Sequence, residues 1–297
     1  MSVGAHRAGF VTLVGRPNVG KSTLTNALVG EKVAITSSKP QTTRRTIRGI
    51  VHRPHGQVVL VDTPGVHRPK TLLGSRLNAL VEATLAEVDL IAQLIPATDK
   101  VGPGDRFIRQ TIDGFPRATK VAIVTKTDLA TRDQIGQRLI EVDQMGPWDL
   151  IIPVSALTGH QLDVLVDELI SLLPESPPLY SQSDWRDDNQ DTHLAELIRE
   201  AALEDIRDEL PHSLAVTIEE RVTDEGGVEK IFANLVVERD SQKRIIIGTK
   251  GERLKRIGSA ARMEIERELG HQVFLSLHVR VEKEWQRDAK KLGRLGF

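Results

Sequence analysis

The sequence predicts an α/β domain built on a mostly parallel sheet with helices on both faces, followed by a small α+β domain. Three apolar, β-branched runs, Leu90–Ile95, Val121–Thr125 and Leu150–Val154, are each followed by loop residues and a helical stretch. Strands of this composition are buried on both faces, which is typical of parallel sheets covered by helices. The proline-containing stretch at 174–191 ends this alternation, and the order of elements changes after it.

The elements nearer the N-terminus fit the same domain. Val11–Val14 predicts a short buried strand, and Lys21–Leu28 begins a helix. Arg48–Val51 and Val58–Val61 flank the turn-rich sequence HRPHG, which indicates a hairpin. Leu72–Val88 carries apolar residues three and four positions apart, which is the spacing of an amphipathic helix.

The residues after 191 predict a separate α+β domain with the order α-β-β-α-α-β. A DEGG turn joins two strands, and a GTKG loop separates two helices. The predicted elements are the helices Thr192–Glu209 and Glu252–Leu269 and the strands Leu214–Val222, Val228–Arg239 and Gln272–Val281. The predicted bounds are 8–174 for the first domain and 192–297 for the second, with a flexible linker over 175–191.

Composition narrows the range of functions. Of the 297 residues 27% are charged and the net charge is −1, so a nucleic acid would have to bind a local basic patch. Aromatic residues make up 3% of the chain, which argues against a single-strand binder built on stacking platforms. The absence of cysteine excludes disulfides, thiolate metal sites and cysteine nucleophiles. No segment resembles a signal peptide or a transmembrane helix, which predicts a soluble cytoplasmic protein.

The stretch GRPNVGKS at 15–22 follows an apolar strand and precedes a helix. Gly15 and Gly20 are expected to adopt unusual φ values and to turn backbone N–H groups into one concavity. That concavity lies at a helix N-terminus, where the dipole favours an anion. Lys21 is placed for the β- and γ-phosphates of a nucleotide, and the Ser22 hydroxyl for Mg²⁺. The stretch therefore predicts a phosphate-binding loop.

Three further motifs at strand ends predict that the nucleotide is GTP. Asp62 of DTPG is expected to bind Mg²⁺ through water, and the Gly65 amide to face the γ-phosphate. Asp128 of TKTD can accept hydrogen bonds from guanine N1–H and from the exocyclic amine, a pair of donors that adenine lacks. Ser155 and Ala156 lie where a backbone amide would contact guanine O6.

These four motifs resemble the G-domain signature of the translation-factor-related GTPases, and QTTR at 41–44 resembles their first switch. The resemblance implies that Thr43 binds Mg²⁺ and senses the γ-phosphate, with Thr42 as the alternative. It also implies Ser22, Thr43 and Asp62 as the Mg²⁺ ligands, and Lys21, Thr43 and Gly65 as the catalytic residues. The expected nucleotide-binding residues are Gly15, Arg16, Pro17, Asn18, Val19, Gly20, Lys21, Ser22, Asp62, Thr63, Pro64, Gly65, Val66, Thr125, Lys126, Thr127, Asp128, Ser155 and Ala156.

Two positions depart from the patterns of such GTPases. Thr125 stands where the family has Asn, and its single hydroxyl can replace only part of the bracing by that amide, so weaker nucleotide binding is expected. Val66 stands where Ras-like proteins have a glutamine that orients the attacking water, so slow intrinsic hydrolysis is expected. Some relatives that have an asparagine at the position of Asn18 use a potassium ion as an added positive charge. K⁺ is therefore a second candidate cofactor.

The GTKG loop at 248–251 has the GxxG pattern of K-homology (KH) domains, which clamp the backbone of about four unpaired nucleotides. The order of elements is that of the bacterial-type KH fold, and basic residues cluster around the loop. The expected RNA-binding residues are Lys243, Arg244, Gly248, Thr249, Lys250, Gly251, Arg253, Lys255 and Arg256. A second GxxG match at 293–296 lies in the basic C-terminal tail, is expected to fall outside any strand–helix frame, and is given no role.

Together the two halves resemble the Era family of bacterial ribosome-assembly GTPases, from about Gly9 to Phe297. The resemblance implies GTP and GDP as ligands, binding to small-subunit ribosomal RNA near its 3′ end, and a role in maturing the small ribosomal subunit. It also implies some peripheral association with the inner membrane. A monomer is expected.

Two other functions stay open at this point. The chain could be an RNA-binding assembly module in which the nucleotide is mainly structural, because Val66 and Thr125 weaken the case for turnover. A metal-dependent hydrolase would need a ligand spacing that the histidines lack. His52 and His55 flank a proline turn and are expected to face solvent.

Overall fold

The computed structural model describes residues 5–37, 43–44, 46–64, 71–205 and 213–297. The chain divides into two units. The first consists of Met1–Ala34, Thr43–Arg68 and Leu77–Asp187, and the second of Ile35–Thr42, Pro69–Arg76 and Asp188–Phe297.

The first unit contains a six-stranded sheet in the order β2-β3-β1-β4-β5-β6. β2 pairs antiparallel with β3, and the other pairings in this sheet are parallel. The strands are β1 (Arg7–Val14), β2 (Ile47–Arg53), β3 (Gly56–Asp62), β4 (Leu90–Pro96), β5 (Thr119–Thr125) and β6 (Leu150–Pro153). The predicted mostly parallel sheet is confirmed, and its antiparallel pair is the predicted hairpin.

Helices cover both faces of this sheet. Leu24 and Leu169 pack into the core on one face, and Val81 and Ile112 into the core on the other. The helices are α1 (Lys21–Val29), α2 (Leu72–Glu87), α3 (Pro103–Asp113), α4 (Arg132–Asp143) and α5 (Leu162–Leu172). β4 is buried along its whole length, because a strand inside such a sheet has helices above and below it.

The direction of the strands determines where the loops lie. β1, β3, β5 and β6 all run the same way, so the loops that follow their carboxyl ends share one edge of the sheet. These loops carry the four sequence motifs of the first domain.

Residues 174–187, here called the strap, are hydrogen-bonded to the first unit. The Gln57 side chain accepts from the backbone N–H groups of Leu179 at 2.8 Å and Tyr180 at 3.0 Å, and it donates to the Tyr180 carbonyl at 2.9 Å. Farther along, the Ile50 N–H donates to the carbonyl of Trp185 at 2.9 Å. The strap thereby covers the outer edge of β2, which would otherwise present unpaired backbone groups.

The predicted flexibility of the linker is therefore wrong for most of its length, and the first unit continues to Asp187. The expectation that His52 faces solvent is also wrong, because its Nε2 lies 2.7 Å from the carbonyl oxygen of Asp184 in the strap. Both errors have the same cause: the partners are on β2 and β3, far from the strap in sequence.

The second unit has the predicted α-β-β-α-α-β order. Its sheet has the order β7-β8-β9, with β7 and β8 antiparallel and β8 and β9 parallel. The elements are α6 (Gln190–Asp205), β7 (Ala215–Thr223), β8 (Glu229–Val237), α7 (Asp240–Ile247), α8 (Glu252–Leu269) and β9 (Val273–Val281). The end of the predicted helix Thr192–Glu209 lies partly outside the described residues.

The C-terminal residues are folded, which corrects the expectation of a tail outside any regular element. A 3₁₀ turn at Trp285–Arg287 is followed by the short helix α9 (Ala289–Arg294). Trp285 is fully buried and stacks on Phe297 with ring centroids 5.7 Å apart. Asp288 caps α9 by accepting from the N–H groups of Lys290 and Lys291. The apolar residues Leu292 and Leu295, which lie between the basic ones, are buried.

Replacing Gln57 tests the role of the strap. Gln57→Ala should lower the free energy of unfolding in urea by about 1–3 kcal/mol, because two N–H groups of the strap lose their acceptor. Gln110→Ala removes the same kind of side chain from the exposed surface of α3 and should stay within about 0.5 kcal/mol of the wild type. Equal stability of the two variants would contradict a structural role for the strap.

Candidate functional site

The loop between β1 and α1 has the geometry of an anion-binding concavity. Its positive φ angles are 63° at Asn18 and 101° at Gly20. Gly20 immediately precedes α1, and the first turn of that helix has neither a side-chain cap nor an acidic residue. The N–H groups of this turn are therefore available to an anion, which the helix dipole also favours.

Gly15 is required for a different reason from the predicted one. Its φ is not positive. Instead, a β-carbon at this position would lie 2.7 Å from Val19 Cγ2 and 2.9 Å from the carbonyl oxygen of Leu94. The loop folds back so closely on β4 that only glycine fits.

The side chain of Arg16 is directed away from the phosphate-binding concavity by its ion pairs. Its Nε donates to Asp105 at 2.8 Å, and its guanidinium also lies 3.3 Å from Asp99. Asp105 is fully buried in α3, so this contact fixes Arg16 against the helix. A contribution of Arg16 to the nucleotide site would have to come from its backbone.

Side chains from three separate places in the sequence motifs meet beside α1, namely Lys21 and Ser22, Thr43, and Asp62. Ser22 Oγ donates to Asp62 Oδ2 at 2.9 Å, and Thr43 Oγ1 donates to the same oxygen at 3.2 Å. The two hydroxyl oxygens are 3.2 Å apart. The structure thus brings the three predicted Mg²⁺ ligands into one cluster, here called the oxygen cluster.

The oxygen cluster fits a hard divalent cation. Asp62 is fully buried, and its other oxygen, Oδ1, has no hydrogen-bond partner among the described residues. Burial raises the pKa of Asp62, an effect that the charge of Lys21 and the two hydroxyl donors oppose. An all-oxygen donor set with a carboxylate oxygen left unsatisfied suits Mg²⁺.

Lys21 is the complementary charge of the site. Its Nζ lies 3.4 Å from the carbonyl oxygen of Gly15, so the side chain reaches back across the loop. Burial lowers the pKa of Lys21, and the charge of Asp62 opposes that effect. Bound phosphate would stabilise the charged ammonium, since it supplies negative charge where solvent has been removed.

Some predicted residues lie outside the described part of the chain. These are Gly65 of DTPG, Val66 directly after it, and Thr42 of the predicted first switch. Thr63 and Pro64, which follow the oxygen cluster, are buried.

Thr125 braces the phosphate loop. Its Oγ1 donates to the carbonyl oxygen of Val19 at 2.9 Å, and the bond is buried. The next residue, Lys126, donates through Nζ to the carbonyl of Asn18 at 2.7 Å and has a positive φ of 59°. The hydroxyl of Thr125 thus makes a contact with the loop, while the amide group that an asparagine would add is missing.

Asp128 lies at the same edge of the sheet and is exposed. Its Oδ1 accepts from Ser155 Oγ at 2.6 Å. Ser155 Oγ in turn accepts from the N–H of Thr158 at 3.1 Å, and Ser155 is fully buried. Sequence reasoning assigned the Ser155 position a backbone contact with the base; the structure adds a side chain that orients Asp128.

The GxxG loop joins α7 to α8 with strained backbone. Gly248 and Gly251 have φ values of 72° and 81°, and Lys250 one of 51°. A β-carbon at Gly248 would lie 2.7 Å from Cβ of Arg253. The Arg253 guanidinium donates to the Ile245 carbonyl at 2.7 Å, so Arg253 ties the two helices together across the loop.

An open groove of about 530 Å³ begins at this loop and runs between α8 and β9. Of the predicted RNA-binding residues, Gly251 and Lys255 line it. Sequence reasoning missed the other lining residues, which are Leu254, Gly258, Ser259, Arg262, Leu275 and Leu277. Those on α8 recur three and four positions apart after Gly251, and this spacing could have identified them.

The metal-dependent hydrolase is not supported. No group of three or more His, Cys, Asp or Glu side chains suited to a metal occurs within the described ranges. The oxygen cluster contains one carboxylate and two hydroxyls, which is a set that binds a cation together with a phosphate ligand.

Comparison with known proteins finds one family in each half of the chain. Residues 10–128 match the family described as 50S ribosome-binding GTPase, and residues 209–286 match the KH domain. GTPase Era of Nocardioides sp. (strain JS614) is 58% identical over 303 residues, which cover 99% of the chain and 97% of that protein. The chain belongs to the GTPase Era family. The predicted family is confirmed, and membership makes the chain a GTPase.

Two solved structures of this family resemble the chain throughout. A variant of Aquifex aeolicus Era bound to GDP·AlF4⁻ has a TM-score of 0.94 and 36% identity, covering 98% of this chain and 99% of that one. Era in complex with MgGDPNP and nucleotides 1506–1542 of 16S ribosomal RNA gives the same values. The predicted fold class, a P-loop GTPase domain followed by a KH domain, is confirmed.

Substitution of Thr125 tests the brace on the phosphate loop. Thr125→Val should raise the dissociation rate of GDP roughly two- to tenfold, because it removes a hydrogen bond worth about 0.5–1.5 kcal/mol. Thr125→Ser retains the donor and should remain close to the wild type. Stopped-flow fluorescence of a methylanthraniloyl derivative of GDP measures both rates. A Thr125→Val rate equal to that of the wild type would contradict the brace.

Proposed function

We propose that the chain is a GTP-hydrolysing switch that binds small-subunit ribosomal RNA through its KH groove and acts in assembly of the small ribosomal subunit. The oxygen cluster carries the proposal, because it joins Thr43 of the predicted first switch to Ser22 and Asp62. A family member solved with MgGDPNP and a 16S ribosomal RNA fragment binds both ligands, which supports the same pair of ligands for this chain.

The phosphates would bind at the start of α1. The open N–H groups of its first turn and the ammonium of Lys21 face the same region, so both can neutralise phosphate oxygens. Ser22, Thr43 and Asp62 would hold Mg²⁺. When bound, this ion supplies positive charge to the phosphate oxygens as negative charge develops there.

Hydrolysis replaces one bond to the γ-phosphorus by another. A water oxygen bonds to the γ-phosphorus, the bond to the β–γ bridging oxygen breaks, and GDP and inorganic phosphate leave. Lys21 and the loop N–H groups stabilise the charge on the leaving oxygen. Val66 can neither donate nor accept a hydrogen bond, so a slow intrinsic rate is proposed.

Guanine would be selected by Asp128. Its carboxylate can accept two hydrogen bonds from the guanine edge, and the contact from Ser155 fixes the orientation of the side chain. Adenine offers a single exocyclic amine and no N1–H, so it would leave the carboxylate partly unsatisfied.

Potassium is proposed as a second cation. Asn18 is exposed and has a positive φ of 63°, so its side chain is accessible at the mouth of the phosphate loop. A monovalent cation there would add positive charge beside the β- and γ-phosphates. GTP turnover should be several-fold faster in potassium than in sodium buffer of equal ionic strength. Equal turnover in the two buffers would exclude this role.

The RNA backbone would lie against the GxxG loop and in the groove along α8. The exposed Lys250 lies between the two glycines, and Lys255 lines the groove, so both can neutralise phosphates. The small residues Gly258 and Ser259 would let the RNA backbone approach α8 closely.

Paired substitutions test whether the two sites are separate. Lys250→Glu should weaken binding of a 16S 3′-end RNA fragment at least tenfold at fixed salt, because it puts a like charge beside phosphate, and should leave GDP affinity unchanged. Lys21→Ala should weaken GDP binding and leave RNA binding of the nucleotide-free chain unchanged. Fluorescence anisotropy and nucleotide titration measure the two affinities.

The control is Lys100→Glu, which makes the same charge change at an exposed position of the first unit and should alter neither affinity. Loss of both affinities in Lys250→Glu would contradict two separate sites.

The second candidate is an RNA-binding assembly module in which the nucleotide is mainly structural. This function stays open because Thr125 makes one hydrogen bond to the phosphate loop where an asparagine could make more. Turnover of GTP with and without the RNA fragment separates the two functions. Absence of hydrolysis under both conditions, with Lys21→Ala still functional in assembly, would favour the module.

The location follows from the proposed partners. We place the chain in the cytoplasm as a monomer, with peripheral association at the inner membrane as implied by the family. No helix in the described part of the chain combines the length and apolar character needed to cross a bilayer.

A further inference from the structure

The sheet of the second unit has two faces with different side chains. Ile231, Ala233 and Leu235 of β8 belong to the core under the helices. Because side chains alternate along a strand, the residues between them lie on the opposite face. This opposite face, here called the outer face, carries Lys230, Phe232 and Asn234 on β8 and Phe274, Ser276, His278 and Arg280 on β9.

Two aromatic side chains lie together on the outer face. Phe274 is 52% exposed. Its ring meets that of Phe232 nearly edge-on, with centroids 6.5 Å apart and an angle of 61° between the ring planes. This edge-to-face contact is a favourable arrangement for two rings. Phe232 therefore holds the Phe274 ring in a fixed position, with about half of its surface open to a ligand.

The available positive charge of the outer face lies on β9. Arg280 is exposed and forms no ion pair with a described residue. Lys230 is paired with Asp224 at 3.2 Å. Glu220 on β7 is paired with Phe232 on β8 in the sheet. This acidic residue of the outer face therefore lies on the strand that is separated from β9 by β8. Negative charge in a ligand is therefore favoured along β9.

The outer face is continuous with the proposed RNA groove. Leu275 and Leu277 line the groove, while Phe274 and Ser276 of the same strand lie on the reverse side. β9 is an edge strand, so a nucleic-acid strand can pass around it from one side of the sheet to the other. A single strand thickness separates the two surfaces.

We propose that the outer face of β9 is a second contact for the same RNA, on which an unpaired base next to the clamped nucleotides stacks against Phe274. Arg280 then lies on the side where the backbone phosphates continue. The proposal rests on the proposed RNA-binding function. The low aromatic content of the chain argues against an extended stacking platform, but one fixed ring is sufficient for one base.

The test compares RNAs of two lengths. A KH clamp holds about four nucleotides, so oligonucleotides of about four and about ten nucleotides with a common sequence separate the groove from the outer face. The full chain should bind the longer RNA more tightly. Phe274→Leu, which keeps an apolar side chain, should lose roughly fivefold or more of its affinity for the longer RNA and bind the shorter one normally.

Phe107→Leu is the matched control, because Phe107 is 59% exposed on α3 of the first unit. It should change neither affinity. Phe274→Trp should retain the tighter binding of the longer RNA, since it preserves a ring. A 2-aminopurine base placed outside the clamped nucleotides should lose fluorescence on binding the wild type and keep it with Phe274→Leu, which reports stacking directly.

The outcomes separate this inference from the function on which it rests. A wild-type chain that binds neither RNA would overturn the proposed RNA-binding function. A wild type that binds both, with Phe274→Leu equal to it in affinity and in quenching, would overturn the second contact alone. The exposed ring would then have to serve a different class of partner, such as a protein.

Discussion

The buried carboxylate of Asp62 is the constraint on which the nucleotide site depends. A carboxylate removed from water has to be compensated by charge and by hydrogen-bond donors. Here Lys21 supplies the charge, and Ser22 and Thr43 supply the donors to one oxygen. The second oxygen is left without a partner among the described residues, and a cation would satisfy it. One acidic group thereby links the phosphate loop, the first switch and the DTPG motif.

The parallel sheet makes this arrangement possible. Ser22 and Asp62 meet because β1 and β3 are adjacent and run in the same direction. Thr43 joins them because β2, which begins shortly after it, pairs antiparallel with β3 so that Ile47 lies opposite Asp62. The same geometry puts Thr125 at the end of β5 within reach of Val19. A threonine suffices for that contact because the acceptor is a single backbone carbonyl. As a consequence, Thr125 braces the phosphate loop through one hydrogen bond.

The second unit uses one strand for two purposes. On one side, β9 completes the groove beside α8, and on the other it presents Phe274 at the surface. The position of β9 at the edge of the sheet is what would let a single-stranded ligand contact both sides, as proposed. In the first unit the corresponding edge, β2, is partly covered by the strap, which pairs the Ile50 N–H and the Arg48 carbonyl. The edge of β2 thus has a structural role, and the edge of β9 has the binding role proposed above.

The sequence by itself determined the order of elements and the residue types of the sites. Short-range patterns carry this information: β-branched runs for buried strands, glycines before a helix for the phosphate loop, and basic residues around the GxxG pattern. Each depends on neighbours within a few positions. This is why the P-loop residues, the DTPG and TKTD motifs and the GTKG loop could be recognised without a structure.

The tertiary structure alone decided which of these residues meet and which are occupied elsewhere. Arg16 is engaged by Asp105, Ser155 orients Asp128, and Arg253 ties α7 to α8. The strap is held by Gln57 of β3, and Trp285 before the C-terminal helix donates to the carbonyl of Ser213. Both partners are remote in sequence. The physical reason is the same in each case: a hydrogen bond or an apolar contact depends on separation in space, which the chain determines only after its strands have paired.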